Sequence, residues 1–76
     1  MPTFRIQVTN TDTEAISDVD RPDPHEARTE ALKSALQIGV DEVCKGKHFF
    51  GAEVRIKSGR HIVERLVVAI GVSPLR

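Results

Sequence analysis

The stretch from Asp23 to Gly46 constrains this chain more than any other, because it alone is long and periodic enough to demand a helix. Asp23, Pro24 and Glu26 supply an N-cap acceptor, a first-turn proline whose missing N–H is not needed there, and an acid beside the positive helix end. Ala27, Ala31, Leu32, Ala35, Leu36, Gly39 and Val43 recur at three- and four-residue spacing, while Glu30, Lys33, Ser34, Gln37 and Asp41 fall mainly elsewhere on the wheel. One face is expected to pack and the other to be wet. Lys45, Gly46 and Lys47 then end the helix, with basic residues near its negative terminus and a glycine able to take a left-handed cap. The expected span is about 24–45.

Short strands flank the helix on both sides. Residues 3–9 alternate apolar and polar, with Phe4, Ile6 and Val8 on one face and Arg5, Gln7 and Thr9 on the other. Asn10 to Thr13 form a turn cluster, and residues 15–19 read as a weakly patterned return strand. Phe49 and Phe50 are expected to plug the join between helix and sheet, so that Phe4, Phe49 and Phe50 all belong to the core. Residues 52–58 alternate clearly, Ser58-Gly59-Arg60 reads as a tight hairpin turn, and a last strand covers 61–72 before Pro74. The order ββαββ predicts an α+β fold: a small antiparallel sheet with one long helix packed on one face. The sequence is read as a single domain over residues 1–76.

Such a short chain buries only about 60% of the surface it exposes when unfolded, so its stability margin is thin and association with a partner would add to it. Formal charge is zero but unevenly spread: residues 1–30 carry three basic against seven acidic side chains, −4, and residues 31–76 carry eight against four, +4. The single Cys44 cannot form an internal disulfide, which fits a reducing compartment. No signal peptide is read in the opening residues, and no apolar run approaches the roughly 20 residues a membrane helix needs. A soluble, cytoplasmic protein is the expectation.

The last strand departs from simple alternation. Leu66, Val67, Val68, Ala69 and Ile70 are apolar on both parities and so ask for cover on both faces, whereas one helix covers only one. A second copy of the chain accounts for this, and a homodimer is expected through Val63, Val67, Ala69 and Ile70.

Phe4-x-Ile6-x-Val8 after Met-Pro, the run Ala27-Arg28-Thr29-Glu30-Ala31-Leu32, and the glycine hairpin at Gly59 together resemble a family of small bacterial domains of unknown function, common in rhizobia and their relatives. The likeness covers nearly the whole chain. It departs from the family pattern where Ser17-Asp18-Val19-Asp20 replaces an acidic stretch with a glycine, and where Phe49-Phe50 stands in place of an aromatic that is often tryptophan. The resemblance implies a fold and a bacterial origin, with no site residues to carry over. The chain is more loosely similar to the fold of HicB-type antitoxins, a likeness that motivates a nucleic-acid or regulatory alternative and rests on no residue motif.

Nothing in the sequence reaches a catalytic signature. Cys44 and His48 are four apart, but Gly46 interrupts the helix between them, and zinc sites usually declare four ligands in paired spacing. Asp18, Asp20 and Asp23 lack the regular loop and bidentate acid of a dedicated calcium site, and the five glycines form no phosphate loop. No metal, cofactor or catalytic residue is assigned. The remaining candidate is a basic set, Arg55, Lys57, Arg60, His61 and Arg65, which would contact phosphates from the helix-free face. Zero net charge and the lack of exposed aromatics weigh against that use. The sequence is therefore read as a non-enzymatic, homodimeric interaction module with scope for a protein partner. Nucleic-acid binding by the basic face is the alternative.

Overall fold

The computed structural model describes residues 2–75; Met1 of the Met-Pro opening and Arg76 lie outside them. Strand β1 spans Thr3–Thr9, β2 Glu14–Asp20, helix α1 Pro24–Cys44, β3 Phe49–Ser58 and β4 His61–Gly71. The strands form one antiparallel sheet in the order β2-β1-β3-β4, and the helix packs on one face of it. The fold is α+β with the element order expected from the sequence. Strands β1 and β3 are interior; β2 and β4 are the edges.

The core follows from pleat and register. Ile6 lies opposite Ile56 and Val8 opposite Val54, so the apolar parity of both inner strands falls on the helix side. Phe4, Phe50, Ala52 and Val68 complete that layer. The helix meets it with small residues one turn apart, Ala27, Ala31, Ala35 and Gly39, all buried. At Gly39 the approach is closest: a Cβ there would stand 2.6 Å from Ile70 Cδ1 and 2.8 Å from Phe50 Cδ2. The sheet supplies the bulk and the helix the room for it.

Each junction has a local cause. Asp23 Oδ1 accepts the Glu26 N–H at 2.9 Å, capping α1 above Pro24. Asn10 Oδ1 accepts from the N–H groups of Asp12 and Thr13 and closes the β1–β2 hairpin. Gly46 after the helix and Gly59 between β3 and β4 hold φ values of 110° and 60°, a region that disfavours other residues. In β4 the pairing passes from Ile56 opposite Glu64 to Lys57 opposite Ile62, leaving Val63 unmatched as a bulge.

Two features differ from the expectation. Strand β3 begins at Phe49, earlier than 52, because β4 is long enough to pair Gly71 with Phe49 and Ile70 with Phe50. Alternation along that extension sends only Phe50 into the core; Phe49 lies on the opposite face, 65% exposed, its ring over Gly51. The aromatics are therefore divided, not all internal. On the helix, Leu36 is 45% exposed where it was expected to pack. A stripe of alanines and glycine set close to the sheet is narrow, and Leu36 and Val40 stand at its margin.

Candidate functional site

The surfaces open to a ligand or partner are the helix-free face of the sheet and its two edges. On that face the basic set divides. Arg55 Nε donates to Glu53 Oε1 at 2.8 Å and Arg65 Nη2 to Glu53 Oε2 at 2.7 Å, so one carboxylate holds both guanidinium groups. The Arg65 hydrogen bond holds the Glu53 carboxyl below its ordinary value; desolvation opposes it, and the charges of Arg55 and Arg65 act in the same direction as the hydrogen bond. Lys57 and Arg60 make no ion pair among the described residues, and exposed His61 begins β4 beside them at the hairpin tip. The five residues are thus a neutralised centre and a separate cationic tip.

A second bridge crosses the same face. Arg5 Nε and Nη2 donate to the two Asp18 oxygens at 3.0 and 3.3 Å, lowering the Asp18 carboxyl and raising the Arg5 guanidinium from their ordinary values. Near it an open hollow of about 470 Å³ is lined by Thr3, Arg5, Gln7, Asp18, Lys57 and Gly59. Gln7 Oε1, on this face, is buried and has no hydrogen-bond partner. The three aspartates weighed for a cation are each engaged otherwise: Asp18 with Arg5, Asp20 by the Thr3 hydroxyl at 2.6 Å, Asp23 at the helix cap. Among the described residues no three His, Cys, Asp or Glu side chains gather as metal ligands. Cys44 ends α1 and is exposed.

The apolar residues predicted at an interface are also divided by the pleat. Val63, Val67 and Ala69 are exposed, Val67 at 80%; Ile70 is turned to the helix side and packs over Gly39. The structure adds Leu36, which the helical periodicity places on the packed face, and Val40 one turn further on. Their position follows from their neighbours. Arg28 Nε bonds Glu64 Oε2 of β4 at 3.0 Å, and Leu36 and Val40 follow Arg28 and Leu32 at four-residue steps along the same side of α1. The opposite side of α1 faces the chain after β2, through Arg21 and Glu30 at 3.2 Å. Exposed apolar side chains therefore flank β4 on both faces of the sheet, Val67 on one and Leu36 with Val40 on the other.

No helix of the described residues is long and apolar enough to cross a membrane. Comparison with known proteins finds no matching family model, no matching curated protein and no matching solved structure.

Proposed function

We propose that this chain is a small cytoplasmic bacterial interaction module, non-enzymatic, that works as a homodimer formed through β4 and the helix margin beside it. One observation carries the reading: the most exposed large apolar residue within any strand or helix, Val67 at 80%, lies on an edge strand that Leu36 and Val40 also border. An apolar margin of this kind costs solubility when bare, and a second copy is the commonest way to cover it. The reading of a bacterial origin is supported by the resemblance to small bacterial domains, and a reducing compartment by the lone, unbridged Cys44.

Nucleic-acid binding is the second reading, supported by Lys57 and Arg60 at the hairpin tip, which make no ion pair among the described residues, and by exposed Phe49 as a stacking surface. The Glu53 bridge weakens it, because Arg55 and Arg65 are already neutralised.

Sedimentation velocity at tens of micromolar protein, in low and physiological salt, with and without a short duplex, tests both. The expected result is a dimer that is insensitive to salt and ignores the duplex, and that Val67→Asp converts to a folded monomer. A wild-type monomer, or one that shifts only with the duplex in low salt, would overturn the reading.

A further inference from the structure

The homodimer reading leaves open how two copies meet, and the hydrogen-bond parity of β4 bears on this. The Val72 N–H donates to the His48 carbonyl at 2.8 Å, which continues the β3–β4 ladder one pair beyond Phe49 and Gly71. In an antiparallel pair, residues alternate between directing their N–H and C=O groups at the partner strand and away from it. Leu66, Val68, Ile70 and Val72 therefore point inward to β3, while Arg65, Val67, Ala69 and Gly71 direct theirs outward along the open edge. The outward-bonding residues are those whose side chains lie on the helix-free face, Val67 among them.

We infer that two copies join edge to edge, β4 against β4 and antiparallel, about a two-fold axis at Val67, making one continuous eight-stranded sheet. This inference rests on the homodimer reading and deepens it. Centred on Val67, the pairing sets Val67 against its own counterpart, Arg65 against Ala69, and Leu66 against Val68 on the helix side. No like charges meet: Arg65 falls opposite a small residue, and Glu64, opposite Ile70, already has Arg28 of its own helix as a partner. Centring on Arg65 would oppose two guanidinium groups, and centring on Leu66 would set Arg65 against Val67 in place of the apolar Val67 self-pair.

The same axis accounts for the helix margin. Because α1 lies over β3 and β4, edge pairing brings two helices side by side on one face, with Leu36 and Val40 turned toward the partner. Stacking of the two helix-free faces would instead leave these two side chains bare and bury the charged centre at Glu53, Arg55 and Arg65. The edge mode covers the apolar residues on both faces and leaves those charges in water.

Amide hydrogen exchange by NMR on the full chain, at high concentration and after dilution, reads the mode directly. Backbone amides of Leu66 and Val68 are protected by β3 in either state. In the dimer, those of Arg65, Val67 and Ala69 are expected to slow by on the order of ten-fold or more relative to the diluted protein. Val67→Pro, which removes one outward N–H and none of the β3–β4 bonds, is expected to abolish the dimer and keep Leu66 and Val68 protected. A stable dimer in which the amides of Arg65, Val67 and Ala69 exchange as fast as on dilution would overturn edge pairing while leaving self-association standing. A monomer at high concentration would overturn both.

Discussion

The two edges of this sheet are built from opposite materials although they rest on the same inner pair. Strand β2 is seven residues long and reads Glu-Ala-Ile-Ser-Asp-Val-Asp, with three carboxylates on its helix-free side and one large exposed apolar residue, Ile16. Strand β4 is eleven residues long and apolar on both parities from Leu66 to Ile70. Each edge is tied to its inner neighbour by a charged bridge across the helix-free face, Asp18 to Arg5 on one side and Arg65 to Glu53 on the other. Both edges are thus tethered, and they differ in what they expose to partners. Short, charged edges resist strand addition and long apolar ones invite it. On the proposed edge pairing, association would stop at two, because the composite sheet would end on β2 at both sides.

The largest expected effect tests what the edges share. Ile56 is fully buried in the second half of β3, opposite Ile6 on one side and Glu64 on the other. Ile56→Ala is expected to cost about 2–5 kcal/mol in urea unfolding followed by circular dichroism, a large part of the stability of a domain this small. Both edges should be lost in a single transition. Early loss of β4 signals with β1 and β2 retained would show that the edges do not depend on one core, and the comparison would then be between two separate units.

A smaller effect tests what separates the edges. Asp18→Val removes a carboxylate from β2 and gives it an apolar side chain at the position facing Arg5. If acid is what guards this edge, the variant acquires a second adhesive strand, and sedimentation should show species beyond the dimer that grow with concentration. Asp18→Asn, which removes the charge without adding apolar surface, should remain dimeric. Unchanged sedimentation of the valine variant would mean that the shortness of β2 protects it, with its charge incidental.

The legible parts of this chain were those where a period and a terminator coincide. Helix α1 and strand β1 match the expected spans closely because Asp23 with Pro24 fixes one start and strict alternation fixes the other. The start of β3 was hidden because Phe49-Phe50-Gly51 has no alternation of its own; its strand character comes from the length of β4, a long-range pairing. The basic set was visible as composition, but its division was not. Glu53 lies two residues from Arg55, which the sequence displays, yet its reach to Arg65 depends on the register set beyond the Val63 bulge. The apolar margin was half visible: double parity in β4 pointed to it, whereas Leu36 and Val40 emerged only from how close the alanine stripe sits to the sheet.

The smallest expected effect probes the two tethers through pH. Glu53 and Asp18 are both held below their ordinary values of 4.5 and 3.8 in the folded chain. A carboxylate depressed on folding stabilises the native state fully above its unfolded value, and that contribution fades as pH falls through the folded one. Acid should therefore weaken the fold from about pH 4.5 downward, with Glu53 leading and Asp18 following. Both bridges are exposed to solvent, so the change in denaturation midpoint should be small and should shrink further in high salt. Glu53→Gln should flatten the upper part of the acid limb and Asp18→Asn the lower. The two variants also separate the edges: losing the Glu53 bridge frees Arg65 beside the Val67 axis and should alter dimerisation as well as stability, while losing the Asp18 bridge should alter stability alone. Equal effects on dimerisation from both would mean that the bridges act through the whole sheet, and the asymmetry of the edges would then reside in β4's side chains and length by themselves.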